Sequence, residues 1–268
     1  MVEIGCLLMI LAPWIRNLGG ENLIEIWEKY KKELEEVKQE LKIVPEGFLS
    51  KRGRCYYHSI GRKDTGITRK TDVICQLCRK RYLLARKEQL RYNLSLAPET
   101  SKDFDKRSAK ELIAAFPSAY QGLPENYFFL PSINDFLTKS YTKNPYQPEN
   151  LTYSSNNGTP VRSKSEVLIA NQLENYHIPY RYEIAITLGK KTIYPDFIIK
   201  NPFTGKTIIW EHFGALNQEG YEQKMNDKMG RYLKHGYIPF ETIIYTFEFD
   251  VKHPPRLQTL IQQIILQQ

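Results

Sequence analysis

Glu166, Asp196 and Glu211 are the residues of this chain whose types and settings point most directly to chemistry. Glu166 precedes Ile169, Ala170 and Leu173 by three, four and seven residues, the spacing that puts a side chain on the apolar stripe of a helix. Asp196 sits inside the apolar run YPDFII, and Glu211 lies near the end of TIIWEHF. A lone carboxylate in such a setting would have to neutralise, because an unpaired buried charge is costly. Two acids at neighbouring strand ends with a third from a helix supply instead the hard oxygen ligands that a divalent cation takes. Each acid also has a plainer reading. Ser163-x-x-Glu166 fits a helix capping box, Pro195-Asp196 is a common turn signal, and Glu211 would serve as half of a structural ion pair. All three plain readings must hold together, in the right order on the right elements, to displace the cation reading.

A second cluster raises a different metal. Cys55-x2-His58 and Cys75-x2-Cys78 have the outline of a zinc site. Their surroundings argue against it. GFLSKRGRCYYHS reads as two short strands joined by a tight turn at 51–54, with Cys55 and Tyr57 on one face and Tyr56 and His58 on the other. Residues 71–94 read as one long helix, with Val73, Leu77 and Leu84 on one side and Cys75, Cys78 and Tyr82 nearby. A CxxC in unbroken helix lacks the turn residue of a zinc knuckle, so zinc is not expected and buried thiols are.

The elements that must carry the three acids follow from periodicity. Residues 163–176 read as a helix, 180–186, 192–200 and 206–213 as strands, 221–235 as a helix, 241–247 as a strand and 256–268 as a closing helix. The order αβββαβα predicts an α+β fold with a mixed sheet flanked by helices. Upstream, 21–42 is a helix whose Leu23, Trp27, Tyr30, Leu34, Val37 and Leu41 repeat in heptad fashion. That stripe is expected to pack on the 71–94 helix, with homodimerisation through the 21–43 helix as the alternative. The result is a small helix–β-hairpin–helix module over about 21–98. Residues 99–160 read as an ordered, proline-punctuated connector with helices at 108–116 and 133–142 and an aromatic run at 127–130 that needs burial. A second domain spans 161–268.

Charge is distributed unevenly. The chain of 268 residues carries a formal +8, yet residues 51–92 alone hold 13 Lys or Arg against 3 acids. Lys51, Arg52, Arg54, Arg62, Lys63, Arg69, Lys70, Arg79 and Lys80, interleaved with Tyr56, Tyr57 and Tyr82, are expected to meet a phosphate backbone. Residues 1–20 contain an apolar run too short to span a membrane and poorly formed as a signal peptide, and read as a docking segment or a weakly used start. Four cysteines exclude a disulfide scaffold, and a reducing cytoplasm is the expected compartment.

The C-terminal stretch resembles the PD-(D/E)xK nuclease superfamily, with its restriction-endonuclease-like αβββαβ core. Pro195-Asp196 matches the PD, Glu211 the second acid and Glu166 the preceding helix glutamate, and VRSKSE, YRYE, YPDF and WEHFG together are similar to one bacterial branch. The resemblance covers about residues 161–250. It implies a nuclease using Mg²⁺ or Mn²⁺, held by Asp196, Glu211, Glu166 and the backbone carbonyl of His212, that leaves 5′-phosphate ends. One position departs: the motif lysine would fall at 213, where this chain has Phe213. Lys228 is the expected replacement and Lys224 the second candidate, with Lys228-x3-Tyr232 similar to the Gln-x3-Tyr signature of exonuclease branches. Nucleic acid, DNA foremost, is then the partner. The alternatives are a nuclease fold that has lost activity and serves binding or assembly, or a mobile-element endonuclease subunit.

Overall fold

A computed structural model describes residues 23–96 and 103–265. The apolar 1–20 segment lies outside them. The chain is α+β and divides into two compact units, Met1–Phe128 and Phe129–Gln268. The boundary falls inside the 99–160 stretch, so that stretch is shared between the units rather than standing between them.

In the first unit, α1 (Leu23–Leu41) is followed by strands β1 (Phe48–Arg52), β2 (Cys55–Ile60) and β3 (Lys63–Gly66), then α2 (Thr71–Ser95). The expected hairpin is therefore a three-stranded antiparallel meander, with Arg52 opposite Cys55 across the first turn and Ile60 opposite Lys63 across the second. Strand β3, KDTG, is exposed along its whole length, so it carries none of the apolar alternation that would announce it. The heptad stripe of α1 packs on α2 as expected: Tyr30, Leu34, Val37 and Leu41 meet Leu83 and Leu90. That face is thus covered within the chain. The buried stripe of α2 includes Ile74, Leu77, Cys78, Tyr82, Leu83 and Leu90, while Val73 is half-buried and Leu84 is exposed. The face is rotated from the expected one because α2 is enclosed by α1 and by the sheet together. A short helix α3 (Ala109–Ala114) opens on a Ser108/Glu111 capping box, and Phe128 from the aromatic run is fully buried.

The second unit begins with α4 (Ser132–Thr138) and a two-stranded hairpin, β4 (Tyr153–Ser154) with β5 (Pro160–Val161). Then come α5 (Lys164–Asn175), β6 (Tyr180–Tyr182), β7 (Ile186–Leu188), β8 (Lys191–Ile193), β9 (Phe197–Lys200) and β10 (Thr207–Phe213). Helix α6 (Tyr221–Lys234), β11 (Ile243–Phe247), α7 (Glu248–Val251) and α8 (Pro254–Leu260) close the chain, with a wider-wound turn at Ile261–Ile265. The main sheet has the order β11-β10-β9-β6; β10 runs parallel to β11 and antiparallel to β9. The parallel step requires a crossover, and α6 supplies it.

Two expected strands are each broken. The 180–186 strand ends at Tyr182 because Glu183 takes φ 45°, and the 192–200 strand stops for Tyr194-Pro195-Asp196, where proline has no N–H to give a ladder. The freed ends pair as a separate β7–β8 hairpin. On one face of the sheet Phe197, Ile199, Ile208, Trp210 and Ile244 pack with Ile169, Ala170 and Leu173 of α5 and with Leu257 of α8. Central strand β10 is buried from Ile208 to Phe213, so a charged Glu211 within it must be accounted for.

Candidate functional site

Glu166 occupies the first turn of α5, held there by the capping box. Ser163 Oγ accepts the Glu166 N–H at 3.2 Å, and Glu166 Oε2 accepts the N–H groups of Ser163 at 3.0 Å and Arg162 at 2.8 Å. The same Oε2 accepts the Tyr182 hydroxyl at 2.9 Å. The capping explanation is therefore correct for one oxygen, and the acid is nonetheless buried, beyond what a solvent-facing cap requires. Burial and the nearby Asp196 charge push its carboxyl up to about 7.

Asp196 stands just before β9 and is half-buried. Its Oδ2 accepts the His212 backbone N–H at 2.6 Å, and its carbonyl accepts the Glu183 N–H at 3.1 Å. These two bonds explain the breaks in the flanking strands: the chain leaves regular pairing so that Asp196 docks beside β10. Arg162 reinforces the turn with a bidentate pair to Glu183 at 2.8 and 2.9 Å.

Glu211 is wholly buried on β10. Lys228 Nζ reaches its Oε2 at 2.6 Å, and the Tyr232 hydroxyl, one helical turn on, donates to its Oε1. Burial first and Asp196 second hold the Glu211 carboxyl up at about 8, against the pull of Lys228 and Tyr232. Burial works against the Lys228 ammonium, but the charges of Glu211 and Asp196 outweigh it and raise its pKa. The Asp196 charge thus acts on both buried glutamates, and Lys228 is the ammonium that answers Glu211 and Asp196. Position 213 is a buried phenylalanine stacked on Tyr245, with ring centroids 5.8 Å apart. Lys224 is exposed and makes no ion pair among the described residues.

His212 turns to the opposite face from Glu211, as alternation requires; its ring meets Thr246 at 3.2 Å and Glu248 at 3.2 Å. Four groups of this region receive no individual role from the sequence, although Arg162 lies in VRSKSE and Tyr182 and Glu183 lie in YRYE. Tyr182 bonds Glu166, Arg162 and Glu183 brace the Asp196 turn, and Tyr245 pairs directly opposite Glu211 on β11. Among the described residues the Tyr245 hydroxyl, which is buried, has no hydrogen-bond partner, which leaves a donor at the site's edge.

The donor set suits Mg²⁺ or Mn²⁺ in kind: hard carboxylate oxygens, with Glu166 and Glu211 held protonation-prone by burial first and by the Asp196 charge second, the latter of which a cation would relieve. Among the described residues no group of three His, Cys, Asp or Glu side chains is drawn together as a ready-made cage. Magnesium does not demand one, since it is usually bound through one or two carboxylates with water and substrate phosphate completing its shell. The other cysteine-histidine set is dispersed in role: Cys55 is exposed, Cys78 is buried with its thiol pushed up to about 12 by burial, and the His58 ring bonds the Glu46 carbonyl at 2.6 Å.

In the first unit, the expected phosphate contacts divide. Lys51, Arg52, Arg54, Arg62, Lys63, Arg69 and Lys70 are exposed on the meander and the loop into α2. Arg79 and Lys80 are not available. Arg79 is buried in a bidentate pair with Glu40, both bonds 2.7 Å, and Lys80 donates to the Pro45 and Gly47 carbonyls at 2.9 Å. Their physical task is to dock α2 on α1 and on the turn before β1. The exposed set also has internal order. Lys51 lies over Tyr56 and Arg52 over Tyr57, and Arg52 pairs with Asp64. Because β2 separates the two turns, Lys51, Arg52, Arg54, Arg69 and Lys70 gather at one end of the meander and Arg62 and Lys63 at the other.

Among the described residues no helix is long and apolar enough to cross a membrane. No protein-family model matches the chain, and no solved structure matches it. A stretch of 80 residues, 30% of the chain, is 35% identical to part of an uncharacterized protein of Methanocaldococcus jannaschii, and it spans 7% of that protein's length.

Proposed function

We propose that this chain is a metal-dependent nuclease that hydrolyses phosphodiester bonds of nucleic acid, with DNA as its first substrate to test. The observation that carries the reading is the Lys228–Glu211 contact at 2.6 Å beside Asp196. It restores, from helix α6, the charge arrangement that Phe213 removes from the strand. An acid cluster kept for packing alone would be better served by apolar side chains, since a buried ion pair commonly adds little stability over a hydrophobic replacement.

Asp196 and Glu211 would hold the cation, with Glu166 and the His212 carbonyl adjoining. When bound, Mg²⁺ or Mn²⁺ supplies Lewis acidity, lowering the pKa of a water and neutralising charge on the leaving oxygen. Lys228 would do two things at its Nζ: it pulls Glu211 toward the ionised form against burial and the Asp196 charge, and it offers a positive charge to the phosphorus oxygens as negative charge develops on them. Tyr232 fixes the Glu211 carboxylate plane through its hydroxyl. Tyr182 and the two N–H groups at the start of α5 hold Glu166 by its Oε2. Water adds to phosphorus, the bond to the 3′ oxygen breaks, and that oxygen takes up the proton, leaving 5′-phosphate and 3′-hydroxyl ends. The seven exposed cations of the meander and its flanking loop would add affinity for the backbone without reading bases.

The test is incubation of the purified chain with linear, circular and single-stranded DNA in Mg²⁺ and in EDTA. Cleavage that requires the cation supports the reading. Cleavage that persists in EDTA, or none on any nucleic acid including RNA, contradicts it. Binding without cleavage would favour a nuclease fold retained for assembly.

A further inference from the structure

Beneath β10, on the face away from Lys228, a chain of hydrogen bonds crosses the unit. Trp210 Nε1–H donates to Thr246 Oγ1 at 2.8 Å, Thr246 Oγ1 and His212 Nδ1 are 3.2 Å apart, and His212 Nε2 and Glu248 Oε1 are 3.2 Å apart. Ser165 Oγ donates to the same Glu248 Oε1 at 2.6 Å. The directions follow from what each group can do. A carboxylate only accepts, so His212 carries its proton on Nε2; Nδ1 then accepts from the Thr246 hydroxyl, whose oxygen is already receiving Trp210. A neutral imidazole satisfies every link.

The two ends of this chain are the immediate neighbours of site residues. Ser165 precedes Glu166, and His212 follows Glu211 while its backbone N–H holds Asp196. Glu248 sits between them on α7, 83 residues from Ser165, and makes the direct connection from α5 to β10. Gly214 also acquires a reason. A Cβ there would stand 2.9 Å from Glu248 Oε1 and 3.1 Å from His212 Nε2, so the glycine of WEHFG is the space in which the two side chains meet.

We propose that Glu248 is a positioning residue of the site, tying the first turn of α5 to β10 so that Glu166 is held toward Asp196 and Glu211. The inference rests on the nuclease reading of those acids. Both bonds to Glu248 end on one oxygen, which makes a discriminating pair of variants available. Glu248→Gln keeps an acceptor oxygen for Ser165 and His212, losing only the charge that faces Lys252 at 3.6 Å. Glu248→Ala removes both bonds, and Ser165→Ala removes the α5 arm alone.

Three readouts on the full chain decide it: Mn²⁺ affinity by calorimetry, kcat and KM on DNA, and the His212 tautomer by ¹⁵N NMR. Glu248→Ala and Ser165→Ala should lower Mn²⁺ affinity and kcat by about 10- to 100-fold, the usual cost of losing a group that orients a ligand, with KM for DNA little changed. Glu248→Gln should behave as the parent and keep the Nε2–H tautomer. A glutamine variant as damaged as the alanine variant overturns the proposal, as does an alanine variant that binds Mn²⁺ and cuts like the parent. A parent that neither binds Mn²⁺ nor cuts overturns the nuclease reading and this role with it. In that case the tautomer in Glu248→Gln and Glu248→Ala still reports whether the tether exists.

Discussion

Arg79 and Arg86 in the N-terminal unit each have a glutamate of their own, whereas Glu211 and Asp196 in the C-terminal unit both act on one lysine, Lys228. Between α1 and α2, Arg79 meets Glu40 and Arg86 meets Glu33, each pair bidentate and each partner seven residues from the next on its own helix. These four charges neutralise each other and lock an antiparallel register. Around Asp196, the charges of Glu211 and Asp196 both act on the Lys228 ammonium, and burial with the Asp196 charge pushes the carboxyls of Glu166 and Glu211 up to about 7 and about 8. A protein that needed only stability would have no reason to assemble the second arrangement. The contrast separates charge that builds the fold from charge that the proposed cation would neutralise, and it does so where the raw count of Lys and Arg does not: part of the cationic excess at 51–92 belongs to the first class.

The largest effect that would sharpen this contrast is at the lysines of α6. Lys228→Ala should lower kcat by roughly a thousandfold, as loss of a charge aimed at the developing oxyanion does, while Lys224→Ala should leave it near the parent value. Equal effects from the two would dissolve the special place of Lys228. In the N-terminal unit, Arg79→Ala should cost about 2 kcal/mol of unfolding free energy, read by denaturant titration, because it empties a buried arginine site and leaves half-buried Glu40 unpaired. A similar loss from exposed Arg54→Ala would break the division between building and binding cations.

Stability against pH gives a third test. In EDTA, Glu166 and Glu211 bind protons more tightly folded than unfolded, so their contribution is fully present below about 4.5 and is lost as pH rises through about 7 and 8. The Tm of the cation-free chain should therefore fall between pH 5 and pH 8, and Mg²⁺ should flatten the fall. A Tm that rises over that window contradicts the assignment of these shifts. The smallest effect concerns affinity alone. Arg54→Ala should weaken DNA binding about equally for all sequences and reduce the slope of log affinity against log salt by about 1, whereas Lys80→Ala should leave the slope unchanged.

The elements of the C-terminal unit were legible because their signals are strong: β10 is a short, largely apolar run, and α6 sets Lys228 and Tyr232 four apart, on one face. The acids were legible because carboxylates inside apolar runs demand an explanation. What escaped has physical reasons. Glu183 takes a left-handed backbone and splits a strand, yet no glycine or asparagine marks the spot. Strand β3 has no buried residue to alternate. Glu248 acts on Ser165 across 83 residues, a contact without local signal. The duty of Arg79 was open to inference, since glutamates at 33 and 40 and arginines at 79 and 86 share a seven-residue spacing.

In the proposed function, Asp196 and Glu211 hold the cation needed to cut nucleic acid. The most direct test is Mg²⁺-dependent cleavage by Asp196→Ala and Glu211→Ala beside the parent, with DNA affinity measured on the same preparations. The account predicts that cleavage disappears in both variants while binding persists. Cleavage retained in both would contradict it.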